Sequence, residues 1–233
     1  MPRMRKVYNW LQFNLIPPTC LLCGDPGHEG LDLCSGCLSD LPIIVHPCPS
    51  CGRSLHQSTT VRCGSCQRTP PPFDRCRSAF AYGPPVDWLI QTFKFHQQLA
   101  AGRLLSALLV RCFADTPAPD CLVPVPLHTK RLRERGFNQA LELARPMARQ
   151  LGIALAATRC HRVHHTENQS RLTGKNRRLN VRNAFEVSWP DPPRRVAIVD
   201  DVLSTGATAG ELTSALKRAG VVEVEVWVVA RAV

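Results

Sequence analysis

The stretch Val196-Ala-Ile-Val-Asp200-Asp201-Val-Leu-Ser204-Thr205-Gly206-Ala207-Thr208 decides the fold. Its apolar, β-branched start, Arg195–Val199, reads as a buried strand that carries two carboxylates at its C-terminal end, where α/β folds place their ligands. Small and hydroxyl side chains follow and run into a helical pattern, Thr208–Arg218, that stops at Gly220. Backbone N–H groups of such a turn can form a nest around a phosphate, helped by the positive end of the helix. Ser204, Thr205 and Thr208 add hydroxyl donors around Gly206 and Ala207. Asp200 and Asp201 are too acidic to face that phosphate but suit the hydroxyls of an attached sugar, so the pattern asks for a ribose 5-phosphate. No Lys follows the glycine, which excludes a Walker loop, and Gly-x-Gly-x-x-Gly is absent, which excludes a dinucleotide fingerprint.

Outward from this segment, strand and helix patterns alternate. Ser78–Tyr82 reads as a strand, and Val86–Phe95 as a helix with Trp88, Leu89 and Phe93 on one face. Leu99–Phe113 reads as a second helix and Cys121–Val125 as a strand that leads into a long basic loop. A helix is expected from about Asn138, a good N-cap, to Leu151, with Gly152 at C′. Residues 159–182 lack apolar periodicity and read as a mobile loop. Phe185–Val187 and Val221–Ala230 are further strands. This succession predicts an α/β fold, a parallel sheet covered by helices on both faces.

The chain has 233 residues, 44% of them hydrophobic, and 12 cysteines. Eight form Cys-x-x-Cys pairs: Cys20/Cys23, Cys34/Cys37, Cys48/Cys51 and Cys63/Cys66. Two thiolates so spaced face one ion, and two pairs complete a tetrahedral Cys₄ shell, so two structural Zn²⁺ sites are expected rather than disulfides. Sequential pairing (20, 23, 34, 37 and 48, 51, 63, 66) is preferred, although the gaps also allow a cross-braced one. Gly24, Gly52 and Gly64 suit the left-handed turns of such knuckles. The remaining Cys76, Cys112, Cys121 and Cys160 read as buried apolar residues. The prolines at 70–72 form a stiff linker, giving a zinc module at 1–72 and an α/β domain at 73–233.

Net charge is +11, and residues 128–182 carry 13 basic against three acidic side chains, nearly all of the excess. Such a block suits a polyanion. No run of 18 apolar residues occurs, so no membrane span is read. The basic N-terminus has its apolar stretch broken by Asn9, Gln12 and Asn14 and does not read as a signal peptide; the expected location is cytoplasmic.

The strand, Asp-Asp and Ser/Thr-Thr-Gly-x-Thr sequence resembles the phosphoribosyl pyrophosphate (PRPP) loop of type I phosphoribosyltransferases. Within that superfamily the chain resembles the competence protein ComF family over about 20–230. The likeness is carried by the four Cys pairs, by Val123-Pro-Val-Pro-Leu127 with Arg131 and Arg135-Gly-Phe-Asn-Gln139, and by Thr166-x-x-Gln169-x-x-Leu172 with Arg177-x-x-Asn180 and Phe185. The resemblance implies a parallel-sheet type I phosphoribosyltransferase fold with an N-terminal, double zinc-ribbon module. It implies that Asp200 and Asp201 bind ribose hydroxyls, that Ser204–Thr208 bind the 5-phosphate, and that the Val123–Arg135 loop takes pyrophosphate with Mg²⁺. Arg131 and Arg135 offer planar forks for that purpose. Residues 162–182, with Thr166, Gln169, Arg177 and Asn180, correspond to the family's flexible loop. Lys94-Phe95 echoes a family position, and a Lys lying along a core helix is an equal reading.

Three functions compete on this basis. The first, from the resemblance, is a PRPP-binding factor acting on single-stranded DNA, alongside competence and DNA-uptake proteins. The second is a phosphoribosyltransferase in nucleotide salvage or synthesis, with its acceptor unnamed. The third is a PRPP sensor without catalysis. No segment reads as a nucleobase hood; the zinc module and residues 73–96 are the material available to cover the acceptor side.

Overall fold

The computed structural model of the chain describes residues 17–57, 61–164 and 183–232. They fall into two compact units that divide between Leu41 and Pro42. The sequence groups both cysteine clusters in 1–72; by compactness, the second cluster goes with the sheet.

The smaller unit is built on its first cluster. The Cys20 N–H donates to the Asp25 carbonyl at 2.7 Å and the Gly24 N–H to the Cys20 carbonyl at 3.0 Å, closing a turn in which Gly24 takes φ +86°. Helix α1 (Ser35–Ser39) starts at Cys34, whose Sγ accepts from the Cys37 N–H.

In the larger unit, Gly52 (φ +68°) closes the matching turn over Cys48. Gly64 does not take the left-handed conformation expected of it and instead opens helix α2 (Gly64–Arg68). The main sheet contains β1 (Arg75–Ala81), β2 (Cys121–Pro124), β3 (Ala154–Leu155), β6 (Arg195–Leu203) and β7 (Glu223–Arg231), in the order β1-β7-β6-β2-β3. Every pairing in it is parallel, the α/β arrangement expected from the sequence. Residues 42–44 run beside the edge strand β1, the Ile44 N–H reaching the Ala79 carbonyl and the Ala81 N–H reaching that of Pro42. A separate antiparallel ribbon joins β4 (Cys160–Arg162) to β5 (Phe185–Val187).

Alternation along β7 sends side chains to both faces. Val224, Val226 and Val228 pack with Leu212 and Leu216 of helix α7 (Ala207–Arg218) on one face. Trp227 meets Phe113 of helix α4 (Leu99–Phe113) on the other, ring centroids 5.2 Å apart. Helix α3 (Val86–Phe95) approaches α4 so closely that a Cβ on Gly102 would lie 2.5 Å from the Phe93 ring. Helix α6 (Gln139–Leu151) is tied to α4 by the Ser106 hydroxyl, which donates to the Leu143 carbonyl at 3.0 Å. Asn138 caps α6 as expected, its side-chain oxygen accepting from the N–H groups of Ala140 and Leu141.

Besides Gly64, four local expectations need correction. The α3 core face is Val86, Leu89, Ile90 and Phe93, a helical i, i+3, i+4, i+7 stripe that leaves Trp88 46% exposed. Cys112 is exposed, whereas Cys76, Cys121 and Cys160 are buried as expected. The basic loop after β2 contains helix α5 (Thr129–Arg135), capped by the His128 ring, which accepts from the Lys130 N–H, and ended by Gly136 at φ +83°. Finally, β6 continues past Val199 to Leu203, because β7 keeps pairing with it through Leu203↔Arg231.

Candidate functional site

The sheet order sets the position of the cleft. β2 pairs with β6 only as far as Pro124↔Val199, then turns away into α5, while β6 continues for four residues. The chain leaves β2 toward β3 and leaves β6 toward β7, in opposite directions, so a crevice opens beyond the C-terminal end of β2. Such a switch point is where open α/β sheets bind ligands. The cleft there has a volume of about 320 Å³.

Asp200 and Asp201 form its floor, and Ser204, Thr205, Gly206, Ala207 and Thr208 one wall. Gly206 adopts φ +76° immediately before α7, a conformation that costs little only without a Cβ, and its carbonyl accepts from the Gly210 N–H at 2.7 Å. The Ala207 N–H donates to the Thr205 hydroxyl at 3.4 Å. Ala207, Thr208 and Ala209, the first turn of α7, line the cleft, and the start of a helix is the donor arrangement that favours an anion.

Cations surround the acid pair. Lys94, at the end of α3, places Nζ 2.6 Å from Asp201 Oδ2, the two side chains being only 20% and 4% exposed. Arg131 and Arg135 of α5 and Arg162 of β4 line the same cleft. Arg135 donates to Gln139 Oε1 at 2.7 Å and lies over the Phe95 ring, 5.6 Å from its centroid. Burial, and then the charge of Arg131, lower the pKa values of both Arg135 and Arg162. Asp200 opens only partly onto the cleft. Its burial, reinforced by the neighbouring Asp201 charge and offset by Lys94, pushes its pKa up to about 7.

That shift has a definite sign. The folded chain holds a proton on Asp200 over a range in which the unfolded chain, at the ordinary 3.8, has released it. Stability from this group is therefore lost as pH rises from about 4 through 7. Asp200→Asn should match the parent's melting temperature only at or just below pH 3.8, where both states hold the proton, and exceed it by at least about 3–6 °C at pH 8. Equal melting temperatures at both pH values would show that Asp200 carries no such burden.

Sequence reading found Asp200, Asp201, Arg131, Arg135 and the loop 204–208, and all of them line this one cleft. The Lys94-Phe95 pair, whose role the sequence leaves undecided, lines it too, as do Arg162 and Tyr82, which carry no signal in the sequence. Thr166, Gln169, Arg177 and Asn180 lie outside the described residues.

The cysteines assemble sequentially. In both sets, Cys20, Cys23, Cys34, Cys37 and Cys48, Cys51, Cys63, Cys66, the four Sγ atoms lie within 4.8 Å of one another. Tetrahedral zinc with Zn–S bonds of about 2.3 Å separates its sulfurs by about 3.8 Å. Cys23 and Cys34 are 3.6 Å apart and Cys51 and Cys63 3.7 Å, so the donor sets fit that ion. Burial opposes the Cys20 thiolate, but the N–H groups of Cys34, Cys23 and Leu22 outweigh it and bring the pKa down to about 6. Cys48 reaches about 6 through Cys63, Cys51 and Ser50 in the same way. In each site one thiol is favoured as thiolate by N–H groups from both of the site's Cys-x-x-Cys turns.

Comparison with known proteins agrees with this architecture. Residues 12–67 match the double zinc ribbon domain family. Competence protein F of Haemophilus influenzae is 38% identical over 223 residues, covering 91% of this chain and 96% of that protein. The chain belongs to the ComF family. DNA utilization protein YhgH of Salmonella typhi is 36% identical over 225 residues, covering 93% of this chain and 98% of that protein. Competence protein ComFC of Streptococcus pneumoniae is 23% identical over 234 residues, covering 91% and 99%. The ComF likeness therefore takes in both cysteine clusters and the cleft. No helix among the described residues is long and apolar enough to cross a membrane.

Proposed function

We propose that this ComF-family chain binds PRPP with Mg²⁺ in the cleft and acts on single-stranded DNA during competence or DNA uptake, in the cytoplasm. The observation that carries the reading is the placement of the Asp200–Asp201 pair beside the N–H-rich start of α7, with Arg131, Arg135 and Arg162 lining the same cleft. In this reading the ionised pair accepts hydrogen bonds from the ribose hydroxyls and the 204–208 loop donates to the 5-phosphate. The arginines hold the pyrophosphate. The acid pair also offers the oxygen ligands that Mg²⁺ takes, and the bound ion would neutralise charge on the leaving pyrophosphate.

The names competence protein F and DNA utilization protein, borne by full-length relatives, support the DNA role. So does the basic block, part of which is α5 with exposed Lys130 and Arg133. Binding to a single strand should weaken with salt, log affinity falling against log salt by roughly 0.7 for each phosphate contacted. Replacing Lys130 and Arg133 with Gln should flatten that slope by about 1.4 and leave PRPP affinity unchanged. An unaltered slope would make α5 a solvated face.

A second reading is phosphoribosyl transfer to a small nitrogenous acceptor in nucleotide salvage or synthesis. Carboxylates beside the ribosyl carbon and cations on the leaving group are what a cationic transition state requires. Release of pyrophosphate from PRPP separates the readings. Release on adding a free base supports salvage, release that needs single-stranded DNA supports action on the strand, and tight binding without release supports a sensor. Absence of PRPP binding would remove the whole assignment.

A further inference from the structure

Arg231 ends β7 and is 8% exposed, and its hydrogen bonds go to backbone carbonyls from two distant parts of the chain. Nε donates to the Cys51 carbonyl at 2.9 Å, within the second cysteine cluster. Nη1 donates to the carbonyls of Leu203 at 2.8 Å and Ser204 at 2.6 Å, where β6 passes into the anion-binding loop, and also to that of Ala232. One planar guanidinium therefore joins a metal-ligand residue to the start of the loop.

A second connection leaves the same cluster through the prolines that follow Cys66. A Cβ on Gly210 would lie 3.2 Å from the Pro72 ring, and one on Gly206 3.6 Å from the Phe73 ring. Lys217 donates to the Pro72 carbonyl at 3.3 Å and pairs with Asp74 at 3.0 Å. These contacts seat the linker against α7 and the loop before it.

The loop needs such support because it separates two hollows. Ser204–Ala207 wall the cleft on one side and, on the other, a cavity of about 790 Å³ that also reaches Cys51 and Cys66. Arg231 and the linker residues Pro72 and Phe73 line that second cavity beside the loop.

We infer that Arg231 is a positioning residue through which the second Cys₄ site holds the 204–208 loop in its anion-binding conformation, so that metal occupancy of Cys48, Cys51, Cys63 and Cys66 sets the affinity of the cleft. The identity of the anion as PRPP rests on the function proposed above; the coupling does not.

The test compares zinc-loaded wild type with Cys63→Ser, Arg231→Met and Arg231→Lys. It reads zinc content, amide hydrogen exchange of residues 203–208 without ligand, and affinity for PRPP with Mg²⁺. Cys63→Ser should lose one zinc and Arg231→Met none. Both should speed loop exchange at least tenfold, leave exchange of residues 196–199 unchanged and weaken PRPP binding at least tenfold, with Arg231→Lys intermediate. Should Arg231→Met unfold, seen as fast exchange at 196–199, Arg231→Lys decides alone. Loss of zinc from Cys63→Ser with loop exchange unaltered overturns the inference, as does wild-type loop exchange in the folded Arg231 variant. A wild type that ignores PRPP overturns the proposed ligand, while the exchange arm still judges the coupling.

Discussion

Replacing Asp200 and Asp201 together with Asn should abolish calorimetric binding of PRPP with Mg²⁺, the ligand proposed above, a weakening of at least a hundredfold, while zinc content and fold are kept. Hydrogen bonds to an ionised partner contribute about 1.5–3 kcal/mol each, so losing two costs about 3–6 kcal/mol of binding, or roughly 10²–10⁴ in affinity. The fold should survive because the Asp200 carboxylate is a burden on it: burial and the neighbouring Asp201 charge raise its pKa further than Lys94 and the Asp201 N–H lower it. Undiminished affinity in the double variant would detach the acid pair from the ligand altogether.

Stripping zinc has the other large effect. The apolar cluster around the second site consists of Cys48, Cys51 and Cys66, with Leu55 and Cys63 against it, so the thiols themselves are its core. Structural zinc contributes about 10–16 kcal/mol at pH 7 in small metal-built domains, as much as the whole stability of an ordinary domain. Metal analysis should find about two zinc ions per chain. A strong chelator should remove both and unfold both knuckles, while residues 73–232 keep their helical and sheet circular dichroism. A chain free of zinc, or one whose knuckles stay protected from exchange after chelation, contradicts the Cys₄ assignment.

How much the sequence reveals depends on whether the chemistry is contiguous. Asp200 through Thr208 is one unbroken segment, and each Cys-x-x-Cys pair is local, so both could be recognised from spacing alone. Lys94 could not, because its partner lies more than a hundred residues away on another element, and a lysine ending an amphipathic helix looks the same paired or solvated. Arg162 was hidden for a related reason: β4 is three residues long and exists through its pairing with β5, more than twenty residues on. Helix α5 has Leu132 as its sole large apolar residue and no periodic stripe, so only its two ends mark it, and a histidine N-cap is a weak signal. The extension of β6 to Leu203 was set by β7, which no inspection of residues 200–203 discloses.

Strand order also governs how this chain can be assembled. β7, made after the other six strands, is inserted between β1 and β6 near the middle of the sheet. The Asp74 carboxylate, at the start of β1, accepts from the Val224 N–H, 150 positions later. On a ribosome, β1 therefore waits without its neighbour until almost the whole domain has been synthesised, and β6 waits with one edge bare. Domains dominated by such remote pairings close slowly and expose sticky strand edges while they do. Nascent chains arrested before residue 223 would thus be the form most in need of a chaperone.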